Sequence, residues 1–231
     1  MQVGVGNAWR GTAALVALAV GGLTGCAGED EGAGGGPRAS ASASTSAALA
    51  GRGGPQVKSG GTIGATGSAC ELPVTLDVAE GWQAEAVGGP PGATGGESAA
   101  ELSDALLSQG PVTLVCEVDA KPAGHIGFLR IWTGEAGDAD PRGVLEEFVA
   151  AESGVSEEEY SAFESGGVEG VEVAYLRTSE VLEETKQERA LAVSTPGGPV
   201  VVHLGGLDTQ EHEAMLPAYE LAKRSLATGT A

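Results

Sequence analysis

Basic side chains are scarce in this sequence: 12 of its 231 residues are Lys or Arg, against 32 Asp and Glu, which leaves a formal charge of −20. Such a surface repels a phosphate backbone, and no basic stripe relieves the repulsion, so nucleic-acid binding is excluded. Asn is nearly absent, Asn7 being the only one, and Ile and Lys are few. That bias is the signature of a GC-rich genome. No Gly-x-Ser-x-Gly, Cys-x-x-Cys or His-Glu-x-x-His occurs, so linear signatures for a nucleophile-elbow hydrolase, a dithiol redox centre and a zinc protease are all missing. A continuous apolar run long enough to span a bilayer, about 20 residues, is missing too.

What is present begins with a short apolar run, Thr12 to Leu23, preceded by the basic Arg10. A run of about twelve residues fits the central region of a signal peptide and is too short for a permanent span. Leu23-Thr24-Gly25-Cys26 follows directly. This tetrapeptide resembles the lipobox of bacterial lipoproteins: an apolar residue, two small residues that let a peptidase approach the backbone, then the cysteine whose sulfur takes the lipid. The resemblance implies removal of residues 1–25, lipid on Cys26 and a membrane-held protein on the extracellular face, since two acyl chains suffice for stable anchoring. Cleavage removes Arg10 and no acidic residue, leaving 11 basic residues against 32 acidic ones, a net charge of −21.

Residues 26–69 carry Gly-Ala-Gly-Gly-Gly-Pro, an alternating Ala-Ser tract and Gly-Arg-Gly-Gly-Pro, with almost no large apolar side chain. This composition buries too little surface to offset its ordering entropy and predicts a flexible tether. Gly61-Thr-Ile-Gly64 lacks the Gly-Lys-Ser/Thr of a phosphate loop and reads as part of that tether. Residues 70–231 form one domain of ordinary size. Alternating patterns predict strands over 72–78, 112–118, 126–133, 160–164, 168–177, 187–195 and 200–204. Helices are expected over 97–108, from Asp140-Pro141 to about Glu152 with Val144, Leu145, Phe148 and Val149 buried, and after the cap Asp208. In the last helix Met215, Tyr219, Ala222 and Leu226 share one face, and Pro217 either kinks the helix or starts its main part. Strands joined by short turns, with helices laid over them, predict an α+β fold built on an antiparallel sheet.

The element order, with a strand running into Glu80-Gly81-Trp82 and a final helix ending in Ala-Lys-Arg-Ser-Leu226, resembles the PsbP/Mog-like fold. Within it the chain is similar to LpqN-type lipoproteins of high-GC Gram-positive bacteria. The resemblance implies an α-β-α sandwich and a binding or assembly-supporting role, and it brings no catalytic residues.

With Cys26 given to lipid, Cys70 and Cys116 remain as an even pair in an exported domain. Either they form a disulfide or they are two buried thiols. His203, Asp208, Glu211, His212 and Glu213 are the one cluster of metal-ligand types, and solvated carboxylates at a helix start explain it better than a metal. His125 stands alone after a turn. Glu146-Glu147, Glu183-Glu184 and the run Glu157 to Glu159 read as surface charge, and Trp82 reads as core packing. No metal and no cofactor is expected. The expected function is a non-catalytic envelope lipoprotein binding a protein partner or small ligand, with an enzyme using carboxylate chemistry on wall or lipid substrates as the alternative. Replacing Cys26 by Ala is expected to release the protein into the medium or leave it unprocessed; fractionation of membranes and medium checks this, and unchanged membrane association contradicts it.

Overall fold

The computed structural model describes residues 56–88 and 107–229. The signal segment 1–25, Cys26 and most of the expected helix 97–108 lie outside the described residues. Part of the expected tether is ordered. Ser59–Ile63 forms β1, antiparallel to β2 at Val74–Ala79, and β2 pairs on its other side with the short final strand β11 at Ala227–Thr228. Gly64 shows why composition misled here. Its φ is 106°, and a Cβ on it would overlap the Val74 carbonyl oxygen, so only glycine fits. Its N–H donates to the Cys70 carbonyl at 2.9 Å, and its carbonyl accepts from Leu72 N at 3.0 Å. The glycines and serines after β1 are therefore turn chemistry, and the folded unit takes in residues that were expected to be linker.

A large antiparallel sheet forms the centre. Its strands are β3 Gln83–Ala86, β4 Ser108–Gln109, β5 Val112–Asp119, β6 Gly127–Thr133, β7 Val155–Ser165, β8 Val168–Ser179, β9 Glu184–Thr195 and β10 Gly198–Gly206. They run in the order β3-β5-β6-β10-β9-β8-β7, with β4 paired to β5. The seven strands read from sequence are all present, and β1, β3, β4 and β11 are additional. Helix α1, Pro141–Ala150, covers one face; helix α2, Thr209–Ser225, and the small sheet cover the other. Both helices start as the caps predict: Gly143 N donates to the Asp140 carboxylate at 2.9 Å, and Glu211 N donates to that of Asp208 at 2.8 Å. Helix α2 runs unbroken through Pro217. Among the described residues no helix is long and apolar enough to cross a membrane.

One irregularity lets β5 serve both cores. Leu114 pairs with Trp132 and Cys116 with Ile131, so Val115 is an extra residue in the strand, a β-bulge. Val112 and Leu114 therefore pack under α1, while Cys116 and Val118 pack on the α2 side. Without the bulge all four would point the same way. The same flip places Glu117 on the α1 face, beside Arg130. Cys116 meets Cys70 in a disulfide with Cα atoms 6.0 Å apart, closing the open choice left by the cysteine count and tying the start of β2 to the large sheet across 46 residues. In the chain-entropy picture a closure of that length stabilises the fold by about 3 to 4 kcal/mol.

Candidate functional site

Strand alternation gathers polar side chains on the α1 face of the sheet, beyond the apolar contacts of α1. Tyr175 and Arg177 on β8, Lys186 and Glu188 on β9, and His203 on β10 point to that face, where Glu152 just after α1 meets them. In register, Tyr175 faces Glu188 and Arg177 faces Lys186. Two cations set directly opposite repel. Each is drawn to a separate carboxylate: Arg177 Nε lies 3.2 Å from Glu152 Oε2, and Lys186 Nζ lies 2.8 Å from Glu188 Oε1 while also donating to the Gly206 carbonyl at 2.7 Å.

Glu188 is 2% exposed. Its second oxygen lies 3.3 Å from His203 Nε2, and that nitrogen lies 3.3 Å from the Tyr175 hydroxyl. The hydroxyl donates to Glu152 Oε1 at 2.9 Å, and Gln109 Nε2 donates to the same oxygen at 2.9 Å. Because the tyrosine hydrogen goes to Glu152, the tyrosine oxygen faces His203 Nε2 as an acceptor, which calls for the hydrogen on Nε2. Glu188 Oε2 stands within ion-pair distance of that nitrogen but accepts no hydrogen bond among the described residues. Burial alone would raise the Glu188 pKa, but His203 and Lys186 together outweigh it and hold the carboxyl below the usual range. Burial, with Glu152 and Glu188 close by, pushes the Tyr175 hydroxyl far up, so it stays a neutral donor.

This chain of groups borders an open cavity of about 530 Å³. Phe128 and Trp132 supply aromatic surface, and Arg130, paired with Glu117 at 2.7 Å, stands over the Phe128 ring with 4.9 Å to its centroid. Trp132 packs edge-on against Phe148 of α1 at 5.4 Å, and its indole N–H has no acceptor among the described residues. Three carboxylates and three cations thus stand in ion pairs around an aromatic wall.

The sequence-selected residues fare unevenly. Cys70 and Cys116 are bridged, and Cys26 lies outside the described residues. His203 and His212 do not converge on one point: His203 belongs to the α1 face, whereas His212 is buried in the first turn of α2, on the other side of the sheet. No group of three metal-ligand side chains stands together among the described residues. Asp208 is the cap, and Glu211 accepts from Ile126 N at 3.1 Å. His125 is not alone, since its Nδ1 lies 3.5 Å from Glu211. Glu146, Glu147, Glu183, Glu184 and Glu157 to Glu159 are exposed. Trp82 is half-buried against Ala79, Ala218 and Leu221, as core packing predicts, and Trp132 is the tryptophan of the cavity. Sequence reasoning missed Tyr175, Arg177, Lys186, Glu188 and Glu152. The available signal was His203, a single polar residue inside the apolar run Val200 to Leu204, which needs a buried partner.

A model of a family described as uncharacterised lipoproteins matches residues 39–226, and the chain belongs to that family. No curated protein matches it. Among solved structures it is similar to the solution structure of cyanobacterial PsbP (CyanoP) from Synechocystis sp. PCC 6803, at 11% identity and a TM-score of 0.44, covering 78% of this chain and 97% of that one. It is also similar to the crystal structure of LpqN, involved in cell envelope biogenesis of Mycobacterium tuberculosis, at 16% identity and a TM-score of 0.36, covering 72% and 88%.

His212 yields a pH prediction. Burial lowers its pKa to about 4 from an ordinary 6.5. The unfolded chain therefore takes up a proton on acidification before the folded one does, so stability falls between about pH 6.5 and pH 4. Denaturant unfolding across that range is expected to show the loss, and His212→Gln is expected to flatten it; an unchanged pH profile in the variant contradicts the assignment.

Proposed function

We propose that this member of the lipoprotein family is held on the outer face of the membrane by lipid on Cys26, and that its domain receives a small polar ligand of the cell envelope without transforming it. The Gly/Ala/Ser-rich stretch between Cys26 and β1 serves as the spacer. The cavity on the α1 face carries this reading. Its volume of about 530 Å³ falls within the ordinary range for small-molecule sites. Its charges are already matched in pairs, so it favours a neutral or zwitterionic ligand with both donors and acceptors over a bare anion. The Trp132 ring forms part of the cavity wall, while its indole N–H is buried without an acceptor among the described residues. No serine, threonine or cysteine stands among the cavity's lining residues.

One observation favours the second reading, an envelope enzyme. A carboxylate that orients a histidine beside an open cavity is the arrangement a general base uses, and Glu188 does this for His203. The two readings part on what happens to the bound molecule. Trp82 and Trp132 are the tryptophans that remain after signal removal. Titration with size-fractionated envelope extract is expected to change tryptophan emission saturably in the wild type and not in Trp132→Phe. Mass spectrometry is expected to recover the bound species unaltered. The absence of any saturable change contradicts the ligand reading, and a converted product that disappears with His203→Gln establishes the enzyme instead.

A further inference from the structure

Four large apolar side chains are exposed among the described residues: Ile126, Leu207 and Leu182 line two adjoining hollows, and Val181 precedes Leu182 in the chain. Ile126 is 56% exposed, Leu207 59%, Leu182 66% and Val181 91%. Soluble domains usually expose such residues singly, and a cluster marks a contact surface. Leu207 N donates to the Ile126 carbonyl at 2.9 Å, which sets the two residues side by side at the mouth of the cavity described above. Leu182 and Leu207 form opposite walls of an adjoining groove of about 400 Å³, between the β8–β9 turn and the β10–α2 turn. The β8–β9 turn is ordered: Leu182 N donates to Ser179 Oγ at 3.2 Å, and the Thr178 and Thr185 hydroxyls bond across its base at 2.8 Å. Glu183 is held there with φ of 53°, a left-handed conformation that is uncommon for a residue with a side chain. An acidic protein has no solubility reason to present Val181 and Leu182 at the tip of such a turn.

The charges around the strip decide what fits it. Glu180, Glu183, Glu184 and Asp208 are all exposed, and no cation pairs with the three glutamates among the described residues. The nearest cations, Arg177 and Lys186, are already paired with Glu152 and Glu188. An anionic lipid surface is therefore repelled, and so is a second copy of this chain, which carries the same carboxylates. We propose that the strip is a docking surface for a basic amphipathic segment of another envelope protein, with its apolar side chains laid on Leu182, Leu207 and Ile126 and its Lys or Arg residues over the surrounding carboxylates. Opposite charge speeds the encounter and fixes the register, and the apolar strip supplies the contact. The inference does not rest on the cavity's holding a ligand.

The test uses the full mature chain, made with Cys26→Ala so that it stays in solution. The probes are a helical peptide of about 14 residues with leucines on one face and lysines on the other, the same peptide with glutamate for lysine, and vesicles of phosphatidylcholine. Binding of the leucine–lysine peptide is measured by calorimetry. It is expected to weaken by roughly tenfold or more in Leu182→Ser/Leu207→Ser and in Glu180→Gln/Glu184→Gln, and to stay unchanged in Glu158→Gln/Glu159→Gln on β7. The glutamate peptide and the vesicles are expected not to bind. No binding of the lysine peptide, equal weakening by the β7 substitutions, indifference to the two leucines, or capture of the vesicles through those leucines each overturns the proposal. All substituted side chains are exposed, so folding is preserved, and the tryptophan titration repeated on Glu180→Gln/Glu184→Gln, neither of which lines the cavity, reports on the cavity separately.

Discussion

A carboxylate buried within a sheet has to be compensated where it stands, and Glu188 sets that requirement for the whole α1 face of this domain. Withdrawing one ion from water costs several kcal/mol, and an uncompensated one costs enough to unfold a domain of ordinary stability. Lys186, two residues away on the same strand face, holds one oxygen at 2.8 Å, and the ring of His203, on the neighbouring strand, stands 3.3 Å from the other, which accepts no hydrogen bond among the described residues. Once His203 is engaged, Tyr175 must turn its hydrogen to Glu152, and Glu152 must in turn hold Arg177 and Gln109. The cavity wall is therefore a single chain of partners running across β8, β9, β10 and the end of α1. Such a chain is preorganised, which is what a binding site requires of its wall.

The rest of the fold makes room for this. The sheet is buried on both faces, so its central strands read as nearly continuous apolar runs, and β10 is buried at seven consecutive positions from Gly198 to Leu204. Polar groups can collect on one face only because the α2 face carries most of the apolar burden, from Leu76 through Ile131 and Leu204 to Tyr219. The bulge at Val115 then divides β5 between the two cores and brings Glu117 to Arg130. The disulfide from Cys70 ties the small sheet to the strand that carries the bulge.

Strand positions, both helix caps and the buried stripes of α1 and α2 were legible in the sequence, because period, caps and turns are local signals. β1 was not, because its serine, glycines and threonine give no apolar period: Ser59–Ile63 is open to solvent along most of its length, and only Ile63 is buried. The bulge left a single mark. Val112 to Asp119 is buried at every second residue, but Val115 stands as an apolar residue between Leu114 and Cys116 where alternation expects a polar one, and that departure alone does not say that the strand changes faces. The cavity was legible only in part. His203 stood out as a polar residue in an apolar run, but its partners lie on strands whose polar positions look like any solvent-facing alternation. β9 and β10 are consecutive strands joined by the tight turn at Pro196 to Pro199, so placing Glu188 beside His203 needed only the register of that hairpin, which sets His203 opposite Ala190. Recruiting Glu152 requires knowing where α1 ends and which face of the sheet it covers, and that is a long-range fact of topology.

The measurement that bears most directly on this account is a double-mutant cycle of Glu188→Gln and His203→Gln, followed by denaturant unfolding at neutral pH. A shared network predicts a coupling of about 1 to 3 kcal/mol, with each single substitution costing nearly as much as the pair. Additive costs, with a coupling below about 0.5 kcal/mol, would mean that the two residues act independently and that the cavity wall is not the connected chain described here.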